Sequence, residues 1–235
     1  MARSSRLPKA CDLVVTDVRG RILSERLPVG SRLASESELM EQHGLGRVTV
    51  REGLRLLERD GLIEIRRGAA GGIFVREVGI GQISETMALL FSSRDTTLRE
   101  FADFRLDIEP TVARLAATHA SDDQRAALTD IAGLGGDGRH VASFHELVAD
   151  ASGNGVHAIV LAALSSTLES QVRYDRVTAG TAARNVREHE EIAAAVAAGD
   201  PDAAESAMRR HLEAYRDFVA QLRLLDDPII PRVHP

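Results

Sequence analysis

Cysteine is almost absent from this chain: Cys11 is the only one among 235 residues. An intramolecular disulfide and a cysteine-built zinc site are therefore excluded, and Cys11 reads as a thiol on the first helix. Aromatic side chains are scarce as well, with six Phe, two Tyr and no Trp. Aliphatic and small residues must close the core, and the abundance of Ala and Leu points to closely packed helices. No run reaches 18 apolar residues, so no membrane span is expected. The N-terminal stretch MARSSRLPKACDL has no apolar core of signal-peptide length, which predicts a soluble, cytoplasmic protein. Only Lys9 among the 29 basic residues is a lysine, a compositional bias from which no function follows.

The net charge of −6 at first argues against nucleic acid, but the charge is unevenly spread. Residues 1–76 carry 14 Lys+Arg against 10 Asp+Glu, a balance of +4; residues 77–235 carry 15 against 25, a balance of −10. Asymmetry of this kind suggests a nucleic-acid module joined to something else.

Apolar spacing predicts a first helix over residues 10–27, ended by Pro28 and Gly30. Ser35 and Glu38 form a capping box that opens a short helix to His43, closed by Gly44. A further helix runs from Arg47 to Asp60 and stops at Gly61. Two helices joined by a short glycine-containing turn form the helix-turn-helix pattern. Two β-capable runs follow, 62–65 and 72–75, around RRGAAGG, and read as a hairpin or wing. That glycine-rich stretch lacks the GK[ST] ending of a P-loop and precedes a strand, so it reads as a hairpin tip needing positive φ. From residue 81 onward helices are expected near 81–92, 96–119, 121–133, 139–152, 155–177, 180–198 and 201–224. Pro110 is expected to kink the second of these. Gly199 should close one helix, with Asp200 capping the next and Pro201 at its first position. The fold expected is mainly α: an N-terminal winged helix-turn-helix with a small β-hairpin wing over 1–77, and a C-terminal antiparallel all-helical bundle over 78–235.

On the third helix, RVTVREGLRLLERDG, Val50, Leu54 and Leu57 share one face, while Arg47, Arg51 and Arg55 recur on the neighbouring face. With Thr49 this sets guanidiniums and a hydroxyl at the end that enters the major groove. Arginine there can bind guanine O6 and N7 bidentately or clamp phosphates. Pairing with Glu52 and Glu58 on a solvated face is the alternative for this helix alone.

The segment LPVGSRLASESELMEQHGLGRVTVREGLRLLERDGLIEIRRGAAGGIFV closely resembles the winged helix-turn-helix of GntR-family transcription regulators. The resemblance implies DNA contacts from Arg47, Thr49 and Arg51, and from Arg67 and Gly68 at the wing tip. Ser37 stands where the family commonly has an arginine that touches the operator, and Ala34 replaces a usual proline. The second half resembles the FCD domain of the FadR subfamily in FRLDIEPTVARLAA (104–117), FHELVADASGN (144–154), REHEEIAAAVAAGD (187–200) and AMRRHL (207–212). That resemblance implies an effector-binding bundle in which His145, His189 and His211 occupy metal-ligand positions. The carboxylate ligand of the family falls one turn before the first histidine, where this chain has Val141. It further implies that Arg105 faces the cavity and pairs with an effector carboxylate, with two weaker effector-site candidates: Arg173 for the cavity and Asn154 for helix-end anchoring. For Arg105 the alternative is a structural ion pair with Glu109 at i,i+4.

The three histidines lie on different expected helices, so a bundle can converge them. His189 lies about 10 residues before the turn at Gly199–Asp200 and His211 about 11 after it, so at 1.5 Å per residue the two reach nearly equal heights on antiparallel helices. Neutral imidazoles suit one divalent ion per subunit, Zn, Ni or similar; without metal the same residues would line a polar pocket. His43, His119, His140, His157 and His234 match no ligand position and are expected at the surface. No nucleophile elbow, HExxH or paired-acid spacing occurs, which argues against an enzyme. A purely architectural DNA binder would hardly need a large acidic helical domain. The expected protein is a homodimeric, ligand-responsive transcription regulator that binds a palindromic double-stranded DNA operator, senses a small-molecule effector of carboxylate type and does not engage membranes.

Overall fold

The computed structural model describes residues 9–68, 71–134, 138–171 and 178–229, with the backbone alone described at 138–140 and 166–171. The chain divides into two compact units between Gly79 and Ile80.

In the first unit the helices are α1 (Ala10–Ser24), α2 (Glu36–His43) and α3 (Arg47–Arg59), followed by strands β1 (Ile63–Arg66) and β2 (Gly72–Val75). The apolar stripe of α3 is its reason for packing. Val50, Leu54 and Leu57 are fully buried against Val14 and Val18 of α1, Leu39 of α2, and Ile63, Ile73 and Val75 of the hairpin. Gly53 allows α3 to approach α1 closely, since a Cβ there would lie 3.0 Å from the Cys11 carbonyl oxygen and from Val14 Cβ. The capping box of α2 is formed: the Ser35 amide donates to Glu38 Oε2 at 2.7 Å, and the Glu38 amide donates to Ser35 Oγ at 3.3 Å.

The strands pair antiparallel from Ile63↔Val75 to Arg66↔Gly72, one residue later at the start of β1 than alternation alone suggested. The other edge of β2 is also paired. The amides of Gly30 and Leu33 donate to Val75 and Ile73, and the Val75 amide donates to Ser31. The segment before α2 thereby ties the wing to the helices. Helix α1 ends three residues earlier than the sequence suggested, because Arg26 takes a left-handed φ of 48°.

The second unit is a bundle of α4 (Gly81–Ser93), α5 (Leu98–His119), α6 (Asp122–Ala132), α7 (Gly138–Ala151), α8 (Gly155–Gln171), α9 (Ala179–Ala198) and α10 (Pro201–Gln221). The continuation of α8 expected to residue 177 lies outside the described residues. Helix α5 runs along α10, which also packs on α9; α7 lies between α5 and α8. Buried Pro110 lies inside α5, which continues as one element to His119. Side-chain oxygens of Thr97, Ser121, Thr178 and Asp200 cap α5, α6, α9 and α10. In the last case the Ala203 amide donates to Asp200 Oδ1 at 3.0 Å.

The core between α5, α9 and α10 is built from Ala113, Ala116, Ala117, Ala193, Ala204 and Ala207 around Ile192, Val196, Met208 and Leu212. Small side chains let these helices approach closely, so polar residues one turn further along face each other at short range.

Candidate functional site

Three rings meet in the bundle interior. His145 comes from α7, His189 from α9 and His211 from α10, and their exposures are 4%, 1% and 4%. One ring nitrogen of each lies within 4.8 Å of the others. His211 Nε2 and His145 Nε2 are 3.3 Å apart. Phe144, itself fully buried, stacks on the His189 ring at 4.1 Å between centroids and fixes its plane. His189 Nε2 is buried and has no hydrogen-bond partner. A buried polar atom left unpaired costs about 1–3 kcal/mol, so this nitrogen is suited to a ligand.

Two carboxylates and a guanidinium surround the rings. Arg105 and Glu109, both buried on α5, form a short ion pair one turn apart through Arg105 Nε and Glu109 Oε1. Arg105 Nη2 also lies 3.2 Å from His145 Nε2. Glu109 Oε2 lies 2.6 Å from His145 Nδ1, close in charge but without the alignment of a hydrogen bond. From α9, Glu188 Oε2 accepts from His211 Nδ1 at 2.9 Å.

Burial holds His189 and His211 well below the usual imidazole range, and the neighbouring rings and Arg105 act in the same direction. Burial also lowers His145, against the opposing pull of Glu109. Burial alone would raise the Glu109 carboxyl, but Arg105 and His145 outweigh it and keep the group ionised. Glu188 is shifted upward by burial. The rings are therefore neutral at pH 7, the form in which imidazole binds a metal.

Beside the rings is a small, partly open pocket. Phe101, Leu161 and Leu164 form its apolar wall, and Arg105, Glu109, His145 and Ser165 bring polar atoms to it. Both readings of Arg105 thus have a physical basis: it is ion-paired to Glu109, and it lines the cavity. Val141 is half-buried in the apolar cluster of Leu98, Phe101 and Leu164, so no carboxylate reaches the rings from that position. Asn154 is exposed and does not line this cavity; its Oδ1 accepts from the Val156 amide at 3.0 Å at the start of α8. This is the helix-end anchoring expected of it. Arg173 lies outside the described residues. Of the remaining histidines, His119 is exposed. His43 is half-buried against Asp17 at 3.2 Å, and His157 is half-buried 3.3 Å from Ser152 Oγ, so neither is the free surface residue expected. His234 and the side chain of His140 lie outside the description.

In the first unit Arg47 and Arg51 are exposed on α3, and Thr49 is half-buried near its start. Arg51 Nε donates to both carboxylate oxygens of Glu36, at 3.0 Å each. Arg67 and Gly68 are exposed where the chain leaves β1, and Gly68 adopts a φ of 98°.

Sequence reasoning missed Glu188 and Glu36. A signal for the first existed: Glu188 and His211 stand 11 and 12 residues either side of Gly199, nearly level across the α9–α10 turn. For Glu36 no local signal existed, since its partner lies 15 residues away on another helix.

Comparison with known proteins agrees with this layout. Residues 12–75 match the bacterial regulatory proteins of the gntR family, and residues 100–214 match the FCD domain. The HTH-type transcriptional repressor NanR of Edwardsiella tarda (strain FL6-60) is 31% identical over 219 residues, covering 88% of this chain and 84% of that one. NanR of Enterobacter sp. (strain 638) is 29% identical over 218 residues, with the same coverage. A solved Streptococcus agalactiae GntR shares the fold, with a TM-score of 0.70 at 24% identity over 88% of this chain and 99% of that one. Among the described residues no helix is long and apolar enough to cross a membrane. These relatives are named as transcriptional repressors, not as enzymes. By these matches the chain belongs to the GntR family of DNA-binding transcription regulators, in the FadR-type architecture that joins a winged helix-turn-helix to an FCD effector-binding domain.

Proposed function

We propose that this regulator binds a palindromic operator as a homodimer in the cytoplasm and responds to a small carboxylate sensed beside one divalent metal ion per subunit. His145, His189 and His211 would hold the ion, with Zn or Ni suited to three neutral imidazoles. The observation that carries the reading is the buried, unpartnered Nε2 of His189 within reach of two other ring nitrogens. A three-nitrogen site leaves a coordination position for water or an anion. Arg105, at the cavity wall, supplies the complementary guanidinium for a carboxylate.

On the DNA side, Arg47, Thr49 and Arg51 would read base edges in the major groove, with Arg67 and Gly68 at the adjacent minor groove. A two-fold dimer matches a palindrome with one recognition helix per half-site. The effector would act by favouring one arrangement of the DNA-binding units over another. The NanR relatives are named as repressors, which supports repression as the output.

A metal-free polar pocket is the second reading. It is favoured by the approach of Arg105 Nη2 to His145 Nε2, where the guanidinium occupies a nitrogen that a metal would need. The test is elemental analysis of protein purified without chelators, followed by thermal-shift titration with divalent metals and then organic acids. Stoichiometric metal, with a carboxylate that adds stability and changes operator affinity, supports the first reading. Carboxylate binding with no metal uptake selects the second, and no response to either overturns both.

A further inference from the structure

The inner shell described above has no carboxylate, because Val141 contributes only an apolar side chain. Negative charge nevertheless reaches the rings from behind. A carboxylate can only accept, so the 2.9 Å contact from Glu188 places the His211 proton on Nδ1 and leaves the lone pair on Nε2. A guanidinium can only donate, so Arg105 at 3.2 Å makes His145 Nε2 an acceptor and leaves the proton on Nδ1, next to Glu109. Two acceptor nitrogens with no proton between them then lie 3.3 Å apart, the His145 lone pair being shared with Arg105 Nη2, from which a metal would have to take it. Such an arrangement is repulsive by itself and becomes favourable around a cation.

We infer that Glu188, with Glu109 behind it, is a positioning residue of the metal centre that orients its histidine and supplies from the outer layer the charge missing at Val141. This rests on the metal-binding reading above. Carboxylates behind a ligating imidazole fix its tautomer and raise its basicity, and their loss typically lowers metal affinity by about 10–100-fold. The two differ in strength here. Glu109 is tied to buried Arg105 in a close ion pair, so much of its charge is already neutralised. Glu188 pairs with Arg184 at 3.5 Å, an arginine that is half exposed, and feels Arg187 without an ion pair to it, while its hydrogen bond to His211 is well formed. Glu188 is therefore the dominant member.

The test uses the full chain and Zn²⁺ in competition with a chelating indicator. Glu188→Ala should weaken Zn²⁺ binding by about 10–100-fold. Glu188→Gln keeps an acceptor for His211 Nδ1 but carries no charge, and should fall between that variant and wild type. Co²⁺ loaded in place of Zn²⁺ should show a changed visible absorption in Glu188→Ala, because the His211 ring is released. Glu191→Gln removes the same charge from a side chain 62% exposed and bound to Arg210, and should leave affinity unchanged. Metal-free melting temperatures near wild type in both Gln variants exclude misfolding. Wild-type protein that takes up no metal would refute the metal reading. Normal metal uptake by wild type, with equal affinity in Glu188→Ala or an equal loss in Glu191→Gln, would overturn the outer-layer role alone.

Discussion

His211 Nε2 faces His145 Nε2 at 3.3 Å, although the two residues are 66 positions apart and belong to different helices. Neither nitrogen is exposed and neither carries a proton, because Glu188 accepts from His211 Nδ1 and Arg105 donates to His145 Nε2. The contact therefore makes sense as half of a cation site.

Removing one of these nitrogens should disable that site. His211→Ala leaves two imidazoles and should abolish stoichiometric Zn²⁺ binding. Val141→Asp, one helical turn before His145, should raise affinity by adding a carboxylate ligand. In the metal-free protein the same change puts a carboxylate among Leu98, Phe101 and Leu164 and should cost about 1–3 kcal/mol of stability. Isothermal titration and denaturant melts of the two variants check both statements.

DNA recognition should depend on α3 and on the residue that holds Arg51. Arg47→Ala and Arg51→Ala should each weaken operator binding by about 1–3 kcal/mol if each arginine makes a bidentate base contact. Wild-type affinity should fall steeply with salt as counterion release is suppressed. Glu36→Gln removes the charge that now engages Arg51. It should tighten binding to non-operator DNA and lower the ratio of specific to non-specific affinity. Fluorescence anisotropy with operator and scrambled duplexes measures all of these; unchanged operator binding in both arginine variants would show that α3 is not the reading helix.

The metal-free protein should lose stability on mild acidification. His189 and His211 are lowered chiefly by burial, so below about pH 6.5 the unfolded chain binds protons that the folded chain refuses. Their contribution is complete above that pH and declines as pH falls, by up to about 1.4 kcal/mol per pH unit for each ring. Glu188, raised by burial, binds its proton more readily when folded and opposes part of this slope at pH above its ordinary range. Glu109, whose burial is outweighed by Arg105 and His145, stays ionised through the window and adds nothing to the slope. Thermal melts of chelator-treated protein from pH 7.5 to 5 should show the decline, and His189→Gln should flatten it.

The helical unit should stand alone. It has its own buried cores, and side-chain caps from within the unit open α5, α6, α9 and α10. A fragment spanning residues 78–235 should be folded by circular dichroism and dimeric by light scattering at micromolar concentration. A folded monomer would move the dimer contact to the DNA-binding unit.

Local chemistry determined much of this protein in advance. The capping box at Ser35 and Glu38, the stop at Gly199 with the cap at Asp200, and the apolar stripe of α3 each depend on residues within about one helical turn, so they could be read without the fold. The near-equal heights of His189 and His211 followed from helical rise and a tight turn. Tertiary structure decided what side chains do across helices. The pairing of Arg51 with Glu36, the carboxylate of Glu188 on His211, the stacking of Phe144 on His189 and the second pairing edge of β2 join residues on different elements. Spacing put Glu188 nearly level with His211, but none of these contacts follows from spacing alone, because rotation of a helix about its axis and the rotamers at a packed interface are set by the whole core. Val141 shows the same division. Its identity announced a missing ligand, and only the packed bundle brought Glu188 to His211 and Glu109 to His145.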